Sequence, residues 1–148
     1  MNLELAAKRQ SILDTLSRYA DAADAGDYGR VSQAFMPNGQ MKAAGRVLTG
    51  RQSIHETLRR LYLERNGDAA GNFQRHHVTT ALIDFTGESS ATGTIYVIVV
   101  TERGVDHSAR YLDRYAMENG RFLIAERTIH LDWMVEGSRF GSFKRNPT

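Results

Sequence analysis

The stretch from Val105 to Met134, VDHSARYLDRYAMENGRFLIAERTIHLDWM, decides the fold. Its two halves are rich in β-branched and aromatic residues, and Asn119-Gly120 between them is a strong hairpin signal. Two strands are therefore predicted, from Val105 to Met117 and from Arg121 to Met134. Each is roughly twice the usual strand length of about five or six residues, and strands this long bend around something.

The chain before this hairpin divides into a helical half and a second strand pair. Phe73 to Phe85 and Ser90 to Thr101 have strand composition, with a turn at Thr86-Gly87-Glu88-Ser89. A second helix is predicted from Tyr28 to Phe35. A third helix, starting at Thr49 or Ser53, has Ile54, Leu58, Leu61 and Tyr62 on its inner face. Residues 66 to 72 are polar and glycine-rich, which indicates a loop. The first helix carries an apolar stripe at helical spacing, formed by Leu5, Ile12, Leu16, Tyr19, Ala20 and Ala23.

Three helices followed by a four-strand meander predict an α+β fold. We expect a cone-shaped barrel, with the three N-terminal helices packed on a strongly curved, mixed but mainly antiparallel sheet that encloses one pocket. This domain spans residues 1–134. Residues 135–148 form a basic C-terminal tail, which contains Phe140 and Phe143 and is either flexible or a flap over the pocket.

Composition excludes several classes of protein. The length of 148 residues suits one domain, and the absence of cysteine excludes disulfides and thiolate metal sites. The first ten residues lack the apolar run of a signal peptide, and the run Ile95 to Val100 is too short to span a bilayer. We therefore expect a soluble cytoplasmic protein. The arginines are scattered from Arg9 to Arg145 rather than clustered, so no nucleic-acid partner is predicted.

Asp24 and His77 are the first candidates for chemistry. Asp24 borders the apolar stripe of the first helix, where a carboxylate can act as a base or simply bond local backbone. His77 alternates with Phe73, Thr79, Ala81, Ile83 and Phe85 on one predicted strand face. An aspartate that orients this histidine would raise its basicity. With a tight hairpin, Tyr96 is predicted to lie diagonal to His77, where it could donate a hydrogen bond to a carbonyl or leaving hydroxyl.

Arg127 is the next candidate, because it alternates with aliphatic residues in the middle of the last strand. An arginine on an apolar face needs an anionic ligand or an acidic partner, for which Asp113 and Glu126 are available. Tyr19 and Tyr111 are weaker candidates, and core packing is the simpler reading of Tyr19. A count through tight turns places Tyr111 and Arg127 on opposite faces, although a single bulge would reverse that count.

Other catalytic classes lack their signatures in this chain. No serine stands in a nucleophile-elbow context, and phosphate-loop and dinucleotide fingerprints are missing. The five histidines are not spaced as metal ligands, so no metal is predicted. Without the phosphate-loop and dinucleotide fingerprints, no organic cofactor is predicted either.

Four stretches, in the right order, resemble the SnoaL-like branch of the nuclear-transport-factor-two-like superfamily. They are RYADAADAGD from Arg18, RHHVTT from Arg75, RYLDRY from Arg110 and NGRFLIAER from Asn119. The resemblance covers about residues 5 to 134. This branch includes scytalone dehydratase, bile-acid dehydratase, dehydrochlorinase, ketosteroid isomerase and polyketide cyclase relatives.

The resemblance implies roles for individual residues. Asp24 and His77 match the aspartate–histidine pair that removes a proton in the dehydratases and the dehydrochlorinase. Arg127 matches an arginine of the dehydrochlorinase pocket, and Tyr19 a catalytic tyrosine of the bile-acid enzyme. His107 falls near a second histidine of scytalone dehydratase, so with Tyr96 and Tyr111 it is expected to bind substrate. The chain is aliphatic around Val99, where the bile-acid enzyme has an acid, and this argues against the same substrate.

These observations predict a cofactor-independent lyase or isomerase, dehydratase-like, acting on a small and largely apolar hydroxyl or carbonyl compound. The alternatives are a non-catalytic ligand-binding or accessory subunit, such as an oxygenase small subunit, and a polyketide cyclase or epoxide hydrolase. We also expect a homodimer or higher oligomer packed through the outer sheet face, because that face should carry apolar residues. The residues expected there are Val78, Leu82, Ile95, Val97, Val99 and Leu112.

Overall fold

A computed structural model of the chain describes residues 2–66 and 73–141. The helices are α1 (Leu3–Asp24), α2 (Tyr28–Gln33) and α3 (Arg51–Asn66). The strands are β1 (Phe35–Ala43), β2 (Arg46–Thr49), β3 (Gln74–Gly87), β4 (Ser90–Thr101), β5 (Gly104–Glu118) and β6 (Arg121–Met134). Asn66 ends α3, and the rest of the loop expected up to Asn72 lies outside the described residues.

The six strands form one mixed sheet in the order β2-β1-β6-β5-β4-β3. All neighbours are antiparallel except β1 and β6, which are parallel. The prediction of an α+β fold with three N-terminal helices on a mixed, mainly antiparallel sheet is confirmed. The sheet ends at β2 and β3 and is not closed. Helix α1 lies against β3 and β6, whereas α3 lies against β1 and β2.

Local signals set the helix ends. The Asn2 side chain accepts a hydrogen bond from the Leu5 amide at the start of α1, and Asp27 accepts one from the Arg30 amide at the start of α2. Gly26 separates the two helices at a φ of +67°. A β-carbon at that position would lie 3.0 Å from the Tyr62 ring, so both the backbone and the packing favour glycine.

Each of the three hairpin interfaces within β3–β6 contains an irregularity of the register. Thr79 is an extra residue in β3 between the pairs Val78–Val97 and Thr80–Tyr96. Asp106 is an extra residue in β5, and Ala125 and Asp132 are extra residues in β6. Such bulges bend and twist a strand and exchange its two faces on either side. They therefore decide which side chains reach the space between helices and sheet.

The core fills most of that space. From α1 it includes Ile12, Leu16 and Tyr19, which are nearly inaccessible to solvent. The Thr15 hydroxyl, also buried, donates a 2.6 Å hydrogen bond to the Phe122 carbonyl and so ties α1 to β6. The sheet contributes alternate residues, among them Ile95, Val97, Val99, Tyr111 and Ile124. The side chains at 95, 97 and 99 thus point inward, and their predicted place on the outer face is wrong.

The chain after β6 returns to the domain over its described part, residues 135–141. The Val135 amide donates to the Asp106 carbonyl, and the Ser138 hydroxyl donates to the Asp106 carboxylate at 2.7 Å. Phe140 is buried. Phe143 and the last basic residues lie outside the described residues. In the described part of the chain, no helix has the length and apolar character needed to cross a membrane.

Candidate active site

Asp24, the last residue of α1, is paired with a histidine of the first long strand, but that histidine is His76. The Asp24 carboxylate lies 2.6 Å from His76 Nδ1 and also accepts the His76 backbone amide at 3.0 and 3.2 Å. The two side chains are only 12% and 14% exposed. A carboxylate can only accept, so Nδ1 carries a proton, and in the neutral imidazole the lone pair then lies on Nε2. This arrangement holds the imidazole in the tautomer that a general base needs.

The prediction that His77 is the partner of Asp24 is wrong. His77 is exposed and pairs across the strands with Ile98, on the outer face of the sheet. The extra residue Thr79 is the cause. Beyond this bulge the inward residues are Ala81 and the odd positions that follow it, but before the bulge they are the even positions, including His76.

The prediction that Tyr96 faces the pocket and binds substrate is also wrong. It pairs with Thr80 and is 47% exposed on the outer face, so it does not reach the pocket. The inward residues of β4 are the odd positions, from Ala91 to Thr101.

A second aspartate–histidine pair lies on β5. His107 Nδ1 is 2.7 Å from the carboxylate of Asp106, which also accepts the Ser138 hydroxyl. The His107 ring contacts the Phe140 ring with centres 4.9 Å apart. Burial lowers the pKa of His107, and the hydrogen bond and charge of Asp106 only partly oppose this effect. His107 is therefore neutral near pH 7, with Nδ1 donating to Asp106.

The two histidines face one cavity. His76 pairs with Val99 of β4, and Val99 pairs with His107 of β5, so the three side chains form a row across adjacent strands. The cavity has a volume of about 70 Å³, several times the ~10–15 Å³ that one ordered water needs. Its wall is mostly apolar and aromatic, with Tyr19, Tyr28, Val97, Tyr111, Ile129, Leu131 and Phe140 as members. The structure thus places three sequence candidates, Tyr19, Tyr111 and His107, at this cavity.

Arg127 does not line the cavity but lies behind it. It is fully buried and makes two hydrogen bonds to Asp113, at 2.9 and 2.7 Å, while Asp113 also accepts the Tyr115 hydroxyl. Its guanidinium carbon is 4.3 Å from the Tyr19 ring centre and 3.9 Å from that of Tyr111. Of the two expectations for Arg127, the one of an acidic partner is therefore confirmed, and that partner is Asp113. Arg127 reaches the cavity only through its contacts with Tyr19 and Tyr111.

The Ala125 bulge explains why Arg127 and Tyr111 share a face, against the count through tight turns. The pairs Tyr115–Ile124 and Arg114–Glu126 skip Ala125, so Arg127 lies opposite Asp113 instead of Leu112. Burial raises the pKa of both Tyr19 and Tyr111, which keeps the two hydroxyls protonated as donors at the cavity wall.

Gln74, which no sequence pattern pointed to, lines the same cavity, and so does Phe140 from the tail that was predicted to be either flexible or a flap over the pocket. The Gln74 amide donates a 2.7 Å hydrogen bond to the Ala23 carbonyl and joins the start of β3 to the end of α1, next to Asp24. The described residues contain no group of three histidine, cysteine or acidic side chains able to hold a metal ion.

The family model of the SnoaL-like domain matches residues 4–128. The chain belongs to the SnoaL-like family. No curated protein matches it significantly. A solved structure of a protein from Catenulispora acidiphila is similar to this SnoaL-like domain at 27% identity, with a TM-score of 0.76 and coverage of 88% of this chain and 96% of that one.

Two further structures bear on the family. A structure from Catenulispora acidiphila in complex with S-DNPA has 27% identity and a TM-score of 0.73, covering 86% of this chain and 95% of that chain. A putative scytalone dehydratase from Novosphingobium aromaticivorans has 18% identity and a TM-score of 0.77, covering 92% and 91%. At that identity the likeness concerns the fold alone. The expected membership of the SnoaL-like branch is confirmed.

Proposed function

We propose that this SnoaL-like domain is a cofactor-independent lyase or isomerase of the dehydratase type, acting on a small hydroxyl or carbonyl compound. The observation that carries the proposal is the Asp24–His76 pair, whose histidine lines a mostly apolar cavity. An oriented histidine of this kind contributes about 10²–10⁴-fold to a proton transfer. The rest of the rate enhancement would come from substrate orientation and from fixed donors.

The proposed step is a β-elimination of water. His76 Nε2 takes the proton from the carbon next to the substrate carbonyl, and the electron pair of that C–H bond forms the new double bond. The C–O bond to the β-hydroxyl breaks as this group receives a proton and leaves as water. In an isomerisation the same proton returns to a different carbon.

Three groups could support this step. The Tyr19 and Tyr111 hydroxyls remain protonated and could donate to a carbonyl oxygen as negative charge develops on it. His107 faces the same cavity two strands from His76 and could hand a proton to the leaving hydroxyl after taking one from His76 or from water. We therefore propose His76 as the base, replacing the earlier candidate His77, and His107 as the relay.

A matched pair of variants tests the proposal. His76→Gln removes the base, and His77→Gln removes the adjacent exposed histidine. Both enzymes would be assayed on a panel of β-hydroxy carbonyl compounds, with turnover followed as new absorbance of the conjugated product. The expected result is a loss of about 10²–10⁴-fold in kcat for His76→Gln and near-normal turnover for His77→Gln. Near-normal turnover by a folded His76→Gln enzyme would contradict the general-base role.

A non-catalytic ligand-binding function is the second candidate, and one observation favours it. Each aspartate also has a structural partner, the His76 amide for Asp24 and the Ser138 hydroxyl for Asp106. Both pairs could therefore serve only to fix the cavity wall. In that case ligands bind, none of the panel is converted, and His76→Gln changes affinity alone.

We also propose that the domain self-associates through the outer face of its sheet. This outer patch consists of Leu82, Tyr96, Leu112 and Trp133, which are 60%, 47%, 42% and 52% exposed. Apolar surface of this kind commonly marks a protein interface. A second copy of the same chain would cover it by stacking one sheet on the other.

A further inference from the structure

Arg65, in the last turn of α3, is the one cationic side chain in the wall of the catalytic cavity among the described residues. Its guanidinium carbon is 4.3 Å from the centre of the Phe140 ring and 5.5 Å from that of Tyr62. The two rings hold the guanidinium by cation–π contacts. Burial raises the pKa of Tyr28, and the charge of Arg65 and a hydrogen bond with it oppose that effect, so the neutral Tyr28 hydroxyl is a further neighbour of this group. The wall is otherwise neutral, apart from what the two histidines carry when protonated.

The charge of Arg65 has no acidic partner within the described residues. No carboxylate from residues 2–66 or 73–141 lies within ion-pair distance of it, and its buried Nε has no hydrogen-bond partner. Arg127 and Arg139 also have one unpartnered nitrogen each, but they are paired with Asp113 and Glu102. A buried N–H without an acceptor is costly, and an aromatic ring replaces an oxygen acceptor poorly.

We propose that Arg65 is the binding site for an anionic oxygen group of the ligand, a carboxylate in the simplest case. The ligand is then amphipathic, with an apolar body against the aliphatic and aromatic wall and an acidic end at Arg65, beside Phe140. Planar guanidinium groups suit this task because they can donate two parallel hydrogen bonds to a carboxylate. That the ligand is also a substrate rests on the proposed function, whereas the anion site itself does not.

The anion would also affect His107. Burial is the largest influence and lowers the pKa of His107, the hydrogen bond and charge of Asp106 raise it, and the charges of His76 and Arg65 lower it. A carboxylate bound to Arg65 would offset that charge and favour the protonated imidazole. A protonated His107 is able to give a proton to a leaving hydroxyl, so an acidic ligand would assist the relay proposed above.

The test compares each acid with its neutral amide, benzoate with benzamide and cinnamate with cinnamamide. Binding to the full chain would be measured by isothermal titration or by ligand-observed NMR at pH 7.5. We expect the wild-type protein to bind at least one acid at least about tenfold more tightly than its amide. Arg65→Gln should remove this preference. Arg59→Gln, which removes an exposed arginine from the same helix, should keep it.

Several outcomes would overturn the proposal. One is that neither acid binds more tightly than its amide, including the case of no saturable binding at about 10 mM, a concentration well above that of a weak specific ligand. Another is that Arg65→Gln weakens acid and amide equally, which would mean that Arg65 only holds Phe140 in place. Arg65→Lys separates charge from shape and should retain part of the preference.

The two proposals can fail independently. His76→Gln is expected to keep the preference for acids, because the anion site does not involve the base. A preference for acids without turnover of any hydroxy acid would remove the lyase proposal and leave the anion site. Turnover of neutral compounds without a preference for acids would do the opposite.

Discussion

Replacing Arg127 should destabilise the fold far more than an average substitution, because its ion pair with Asp113 is completely buried. Neither side chain has any exposed surface, and two hydrogen bonds of 2.9 and 2.7 Å join them. Arg127→Met preserves much of the side-chain length but leaves the Asp113 carboxylate with the Tyr115 hydroxyl as its remaining described hydrogen-bond partner. Removing one member of a buried pair costs about 3–5 kcal/mol.

For a domain of this size a change of 1 kcal/mol moves the melting temperature by about 2–4 °C, so a loss of about 3–5 kcal/mol corresponds to a decrease of about 6–20 °C. The measurement is urea unfolding at 25 °C and thermal unfolding, both followed by circular dichroism. The double variant Arg127→Met/Asp113→Leu removes both charges and should recover at least about half of the loss, since hydrophobic replacements of buried pairs are often nearly neutral. Arg114→Met, at an exposed pair with Glu126, is the control and should cost less than about 1 kcal/mol.

The reasoning is refuted if Arg127→Met loses less than about 1 kcal/mol, or if the double variant loses the sum of the two single variants. Turnover gives a second readout. Tyr19 and Tyr111 stack on the guanidinium, so a moderate fall in kcat is expected through their displacement. A loss as large as that of His76→Gln would mean that Arg127 acts on the substrate itself.

Three further results are expected. Because burial lowers the folded-state pKa of His107, protonation favours the unfolded chain, and wild-type stability should fall as the pH drops below about 6.5, whereas His107→Gln should show a weaker dependence in urea titrations at pH 5.0 and 7.5. Phe140→Ala should cost about 3 kcal/mol in unfolding free energy and admit dye to the cavity, and an unchanged stability would mean that residues 135–141 do not seal it. Leu112→Glu or Trp133→Glu in the outer patch should convert the oligomer to a monomer in light scattering, whereas a wild-type protein of monomer mass at micromolar concentration would contradict self-association.

Much of the fold follows from patterns that are local in the chain. Long β-rich runs joined by Thr86-Gly87-Glu88-Ser89 and Asn119-Gly120 predict the meander, because turn residues and β-branched side chains act over a few residues. The same is true of α1, because its apolar stripe follows from helical spacing and the glycine after it is a local stop signal. The candidate Asp24 also followed from its place at the edge of that stripe.

The facing of individual strand residues was not predictable in this way. The extra residue Thr79 places His76 at the cavity, where the sequence predicted His77. The extra residue Ala125 places Arg127 on the same face of the sheet as Tyr111. A bulge is set by how neighbouring strands pair and twist around the core, and the residues that form these two bulges carry no distinctive sequence signal. Strand parity therefore propagates any single error along the whole strand.

Contacts between distant parts of the chain were equally beyond the sequence. Phe140 lies against His107, and Ser138 binds Asp106, only because the chain after β6 turns back onto β5. The sequence by itself determined the helices, the meander, the family and the presence of an aspartate beside a histidine-bearing strand, since these rest on local propensity and ordered motifs. Only the tertiary structure decided which histidine that aspartate orients and that a second pair faces it, because strand register and chain closure depend on packing between residues far apart in sequence.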